Sequence, residues 1–123
     1  MKTVVAVEDD PDIRTLIRMH LRSDDRLGLV GEVATAAEAV ETATFRRPDL
    51  VILDHFLSGE VMGLQAAVLL KTASPTSKIL LFTDYDLSVE AAREPAIDGY
   101  LSKTRMHDLL PTVLSLLSLA ELS

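Results

Sequence analysis

The sequence predicts an α/β fold, a three-layer (βα)5 sandwich built on a parallel five-stranded sheet. Two observations carry this reading. Five short aliphatic or β-branched runs alternate with helix-like segments along the 123 residues, the pattern of repeated strand–helix crossovers. The runs are also apolar at successive positions, as strands covered on both faces are, rather than at every second one.

The first run, Thr3–Val7, precedes Ile13, Leu16, Ile17, His20 and Leu21, spaced i, i+3, i+4, i+7 and i+8 as on one helix face. Pro11 suits the first helical position, which makes Asp10 the N-cap and puts Asp12 in the first turn, where the helix dipole favours acids. Arg14, Arg18 and Arg22 recur at intervals of four on this helix. They read as a solubilising stripe, with a docking face for an acidic partner as the alternative. Leu29–Val33 is the second strand, and alanine-rich Ala36–Phe45 is a helix closed by Arg46-Arg47-Pro48. Leu50–Leu53 is the third strand, followed by a helix over Gly63–Thr72 that stops at Ser74-Pro75. Lys78–Phe82 is the fourth strand, Ser88–Arg93 a short helix bounded by Pro95, and Tyr100–Leu101 the fifth strand. The last helix is expected over His107–Leu122, with Pro111 tolerable only near its first turn. On its wheel Leu109, Val113, Leu116, Leu117 and Ala120 form a core stripe, and Leu110, Leu114, Leu119 and Leu122 fall outside it. The surplus is either a wide core contact with a frayed end, or a homodimer or partner interface on the face of helix 4, strand 5 and helix 5.

Composition narrows the classes. A chain of this length suits one domain with a single core, and 48% hydrophobic residues with few aromatics indicate an aliphatic core. Net charge is −7, with no basic cluster beyond the spaced arginines, so this segment is not expected to bind nucleic acid directly. Cysteine is absent, which removes disulfides and thiolate chemistry. No run approaches the roughly 18 apolar residues of a membrane span. Met1-Lys2-Thr3 enters the first strand at once, leaving no room for a signal peptide. The expected location is the cytoplasm, away from membranes.

In open parallel sheets, ligands bind at the carboxyl ends of the strands where strand order reverses. For a flavodoxin-like order, 2-1-3-4-5, that place lies between the first and third strands. Glu8 and Asp9 follow the first strand, Asp54 the third, Thr83 the fourth, and Ser102-Lys103 the fifth. Each alone is weak evidence; their convergence on one rim is strong. Three carboxylates from two neighbouring strands suit a hard divalent cation, with Mg²⁺ the default and Mn²⁺ an alternative. With the cation in place Asp54 can act as a carboxylate nucleophile toward phosphorus, forming an acyl phosphate. Lys103 offsets phosphoryl charge, and the Thr83 hydroxyl can donate to a phosphoryl oxygen. The sequence has no Walker loop and no G-x-G-x-x-G, so another molecule must supply the phosphoryl group.

The chain resembles, over its whole length, the receiver domain of two-component response regulators. The matching residues are Glu8-Asp9-Asp10-Pro11, PDLVILD ending in Asp54, KILLFT ending in Thr83, and DGYLSK with Tyr100 and Lys103. The resemblance implies a single receiver domain over residues 1–123, a signalling switch rather than an enzyme acting on a separate substrate. It implies that Asp54 takes a phosphoryl group from a histidine of a sensor kinase or histidine phosphotransfer protein. It further implies Mg²⁺ contacts from Asp9, Asp54 and the backbone carbonyl of Phe56, with Glu8 acting mostly through water. Thr83 and Tyr100 would form the switch pair, Tyr100 turning inward behind Thr83. The face of helix 4, strand 5 and helix 5 would then control a downstream protein or a fused output domain. No output domain or DNA-reading helix is expected within these residues, and the domain reads equally as stand-alone or as part of a longer protein.

Three departures from the family pattern stand out. The loop HFLSGEVMG has Ser58 where proline is usual, and Gly63 falls one residue late, so the loop is expected to be longer and less rigid. Asp84 replaces a usual Ala or Gly; it either turns into solvent or repels the incoming phosphoryl group and competes for Lys103. Phe56 and Tyr85 occupy the positions flanking the attacking water, which predicts a long-lived phosphoryl state; Tyr85 packing against the fourth helix is the simpler alternative. A degenerate receiver that binds a partner without phosphorylation is the competing function. A flavin binder is disfavoured by the acids after the first strand, and a Mg²⁺-dependent aspartyl hydrolase by Phe56 where its second acid should stand.

Overall fold

A computed structural model describes residues 1–119. The strands β1 (Lys2–Val7), β2 (Leu27–Val33), β3 (Leu50–Leu53), β4 (Lys78–Thr83) and β5 (Gly99–Ser102) pair in parallel in the order β2-β1-β3-β4-β5. The helices are α1 (Pro11–Arg22), α2 (Ala36–Arg46), α3 (Gly63–Ala73), α4 (Ser88–Arg93) and α5 (Leu109–Leu116). Order reverses between β1 and β3, so the residues that leave those two strands sit side by side.

Both faces of the sheet are covered, which explains the unbroken apolar runs. Val5, Val7, Val51, Leu53, Ile79 and Leu81 point into one layer with alanines of α2 and α3. Val4, Ala6, Leu50, Ile52, Leu80 and Phe82 point into the other, against Ile17 and Leu21 of α1 and Leu109 and Val113 of α5. The period of two along each strand sends neighbours to opposite layers. On the first layer the buried side chains of α2 (Ala36, Ala39, Ala43) and many of those of α3 (Ala66, Ala67) are methyl groups, so both helices can sit close to the sheet.

The start of α1 follows the expected capping chemistry: the Asp10 side chain accepts from the Asp12 amide at 2.9 Å, and Pro11 opens the helix. Arg18 is not a free docking cation, because it makes two bonds to Glu32 on β2, at 3.0 and 2.8 Å. β2 begins two residues earlier than the aliphatic run suggests. Leu27 and Gly28 pair with Lys2 and Thr3, and glycine gives no strand signal of its own. α2 ends at Arg46, with Arg47 in the left-handed region (φ 43°) ahead of Pro48.

The last helix is shorter than its leucine periodicity predicts. A 3-10 turn occupies Lys103–Asp108, and α5 starts at Leu109 with Pro111 in its first turn. At the other end Ser118 takes φ 60°, its amide donates to Ser115 O at 3.1 Å, and the Leu119 amide donates to Leu114 O at 2.8 Å. These paired bonds close the helix as a Schellman motif. Leu114 is buried, and Leu110 and Leu119 pack against the same core layer. Leu110, Leu114 and Leu119 thus find core contacts, in keeping with the wide core contact that was one of the two expectations. Ala120 and Leu122 lie outside the described residues.

Candidate phosphoacceptor and cation site

Backbone bonds fix the rim before any side chain is considered. The Asp54 amide donates to Val7 O at 3.0 Å and the Glu8 amide to Val33 O at 2.9 Å. Each acid therefore leaves its strand with the ladder still formed beneath it. Glu8, Asp9 and Asp54 each bring a carboxylate oxygen within 4.8 Å of the others. Lys103, at the end of β5, reaches across with Nζ 2.9 Å from Asp54 Oδ2 and 2.5 Å from Glu8 Oε1. Thr83 ends β4, and its Oγ1 is buried without a hydrogen-bond partner among the described residues. Glu8, Asp9, Asp54, Thr83 and Lys103 thus line one cleft, whereas the Ser102 hydroxyl accepts from the Thr104 amide at 3.3 Å instead.

Burial sets the electrostatics. Glu8 is 2% exposed and Asp54 6%. Desolvation is the largest influence on Glu8 and, with repulsion from Asp54, lifts its pKa to about 6 against the pull of Lys103. Burial alone would lower Lys103, but hydrogen bonds to Glu8 and Asp54 outweigh it and hold its pKa above the ordinary value. Among the described residues this is the sole cluster of three or more acids with ligand spacing for a metal. All-oxygen donors with a net negative charge, partly neutralised by a single ammonium, fit a hard divalent cation such as Mg²⁺.

The mouth of this cleft, about 270 Å³ in volume, is aromatic and acidic. Phe56 and Tyr85 pack against each other with ring centroids 4.3 Å apart and planes tilted by 51°, and both are exposed. Tyr85 therefore meets Phe56 across the opening. Asp84 is exposed at the same mouth, and Lys103 is engaged by Glu8 and Asp54 instead. The competition for Lys103 envisaged for Asp84 is not the observed pairing. Tyr100 is half-buried: its hydroxyl donates to Tyr85 O at 2.8 Å, and its ring packs on the layer beneath α4.

The loop after Asp54, expected to be longer and less rigid, makes contacts at both of its ends. Leu57 is buried, Ser58 pairs with Thr35 through a backbone bridge, and the Ser58 hydroxyl donates to Asp9 Oδ2 at 3.2 Å. At its far end the Gly63 amide donates to His55 O at 2.7 Å and the Leu64 amide to His55 Nδ1 at 3.2 Å. His55 thereby caps α3, which has no capping side chain of its own. The acceptor role fixes the neutral ring with its proton on Nε2, and burial lowers its pKa in the same direction. Sequence reasoning missed His55 and the Ser58 bond. The late glycine was the available signal, since a Cβ on Gly63 would lie 2.3 Å from Asp54 O.

Comparison with known proteins agrees with this geometry. The family model described as response regulator receiver domain matches residues 4–114. The response regulator protein VraR of Staphylococcus aureus (strain NCTC 8325 / PS 47) is 31% identical over 103 residues, 82% of this chain and 49% of that protein. The chain spans about half the length of the curated relatives it matches. Among solved structures, a LuxR-family two-component response regulator from Aurantimonas sp. SI85-9A1 is 26% identical with a TM-score of 0.86, covering 94% of this chain and 84% of that one. The response regulator domain of Thermotoga maritima CheB, 19% identical, shares the fold at a TM-score of 0.82 over 98% and 96% of the two chains. This protein chain belongs to the response regulator receiver domain family, the signalling domains of two-component systems.

Proposed function

We propose that this domain is a phosphoryl-accepting switch in which Asp54 is the acceptor. The observation that carries the reading is the buried Asp54 carboxylate, held 2.9 Å from Lys103 beside Glu8 and Asp9 at an open cleft. The donor is a phosphohistidine of a sensor kinase or histidine phosphotransfer protein. An Asp54 oxygen forms a bond to phosphorus as the P–N bond breaks. The electron pair of that bond stays on the donor imidazole, which leaves neutral when its other nitrogen carries a proton. Asp9, Asp54 and the Phe56 carbonyl, with Glu8 through water, would hold a Mg²⁺ ion, which would supply charge neutralisation and Lewis acidity. Lys103 stabilises the transferred group, and the Thr83 hydroxyl gains the acceptor it otherwise lacks.

Phe56 and Tyr85 partly close the approach to phosphorus, so water reaches the acyl phosphate slowly. Occupancy of the site biases the two-state arrangement of Thr83 and Tyr100 and, through it, the face of α4, β5 and α5. That face addresses a downstream protein or a fused output domain, an arrangement in keeping with relatives about twice the matched length. The domain works in the cytoplasm; among the described residues no helix is long and apolar enough to cross a membrane.

Incubation with acetyl phosphate and Mg²⁺ followed by intact mass measurement tests the reading. Addition of one phosphoryl group, lost in Asp54→Ala, is the expected result. If neither acetyl phosphate nor a phosphorylated histidine donor adds mass, the reading is wrong. The alternative, a degenerate receiver that binds its partner without phosphorylation, then gains support; the acidic mouth at Asp84 is the observation in its favour.

A further inference from the structure

We infer that Ser58 is a positioning residue for Asp9, holding that carboxylate in place for the cation. This rests on the proposed Mg²⁺ reading and adds a residue to it. Asp9 is exposed, and the Ser58 hydroxyl, 3.2 Å from Oδ2, is its sole side-chain hydrogen-bond partner among the described residues. An exposed aspartate without a partner samples several rotamers, and ordering it on ion binding reduces affinity. A carboxylate has about four lone-pair sites, so one serine bond leaves both oxygens able to bind a metal.

The serine is itself fixed in place. Leu57 before it is buried, the Ser58 backbone is bridged to Thr35 beyond the end of β2, and Gly59 after it turns the chain away at φ 101°. With a side chain two atoms long, the hydroxyl has one rotatable bond, χ1, and only three staggered positions to choose among. Loop and carboxylate come from opposite sides of the cleft, β3 and β1, so the bond also ties the loop to the acid pair. Proline, usual in the family at this position, has no hydroxyl to give. The arrangement is therefore a property of this chain's own loop.

Calorimetric titration of the full chain with Mg²⁺ alone tests this without any phosphoryl transfer. Outer-sphere partners of metal ligands typically contribute about 10- to 100-fold to affinity; a long, exposed bond belongs at or below the lower limit, so Ser58→Ala should weaken binding roughly three- to tenfold. Ser58→Thr, which keeps the hydroxyl, should bind within about twofold of wild type, and in an Asp9→Asn background Ser58→Ala should change affinity by less than about twofold. The thermal midpoint in EDTA should not move in either Ser58 variant. Unchanged affinity in Ser58→Ala, or equal weakening in Ser58→Thr, overturns the inference while leaving the metal reading intact. A wild-type chain that takes up no Mg²⁺ overturns both.

Discussion

Gly63→Ala joins stability to the backbone of Asp54 through a distance that can be read directly. The added Cβ would lie 2.3 Å from Asp54 O, 2.6 Å from His55 Cα and 2.9 Å from Asp54 C. All three are backbone atoms, so no side chain can rotate aside. Ordinary contact begins near 3.4 Å, which leaves the N-terminus of α3 and the end of β3 about 1 Å too close. Overpacking of this kind costs roughly 1–3 kcal/mol, and moving α3 outward also strains the Gly63–His55 and Leu64–His55 bonds, at about 1 kcal/mol. Reduced freedom of the unfolded chain returns about 0.4–1 kcal/mol. The expected net loss is about 2–3 kcal/mol, a fall of about 1–2 M in the urea midpoint at an m value of about 1.5–2 kcal/mol/M. Gly31→Ala is the control, since its Cβ meets side-chain methyls only, at 3.3 and 3.5 Å. It should cost less than about 1 kcal/mol. A Gly63→Ala midpoint within about 0.3 M of wild type would refute the argument that helix and strand end are in backbone contact here.

The remaining predictions concern charge, access and the switch. In EDTA the raised Glu8 pKa has a definite sign: between 4.5 and about 6 the folded state holds a proton that the unfolded state has lost, so stability falls as pH rises through this window. The loss by pH 7 is about 2 kcal/mol; urea titrations from pH 4 to 7 should show it in wild type and not in Glu8→Gln, and parallel curves would contradict the assignment. Phe56→Ala with Tyr85→Ala should speed loss of the phosphoryl group at least about tenfold, equivalent to about 1.4 kcal/mol of barrier, as followed by intact mass after donor removal; an unchanged half-life rules out shielding by the ring pair. Thr83→Val should stabilise the unphosphorylated domain by about 1 kcal/mol, because an apolar isostere replaces a buried hydroxyl that has no partner. A loss of stability on that change would mean that the hydroxyl is already satisfied.

The sequence made the frame and the site's charges legible for a physical reason. Val4–Val7, Val51–Leu53 and Ile79–Phe82 are buried whichever layer they face, so their apolar runs mark them as interior strands without knowledge of the topology. Acids immediately after such runs have one rim to occupy. Local rules also sufficed for Asp10, Pro11 and Asp12, where cap and helix lie within three residues. What stayed hidden depends on chain brought together from afar. Ser58 meets Asp9 across 49 residues, and Gly63 packs on Asp54 only once α3 is docked. The end of α5 was hidden by the opposite circumstance, for its leucines continue the apolar period past the point where Ser118 turns left-handed. Periodicity reports what can be buried, whereas the Schellman bonds decide where the helix stops.

Charge explains why these parts form one device. Glu8, Asp9 and Asp54 with Lys103 sum to −2 when all are ionised, which one divalent cation neutralises. Burial first, and repulsion from Asp54 after it, raise the Glu8 pKa against the pull of Lys103. On the proposed reading, conversion of the Asp54 carboxylate to an acyl phosphate adds roughly one further negative charge, in a place where Lys103 already has two partners. Among the described residues the nearby donor still without a partner is Thr83 Oγ1, fully buried. A buried hydroxyl left unpaired costs about 1–3 kcal/mol, and pairing it with a phosphoryl oxygen recovers that amount in the phosphorylated state alone. By conversion, each 1.4 kcal/mol of such a difference is about a tenfold shift between two conformations. On the proposed reading, the Thr83 hydroxyl would thus be a sufficient source of coupling between Asp54 and Tyr100, whose hydroxyl is bonded to the carbonyl of Tyr85, two residues further along the same chain.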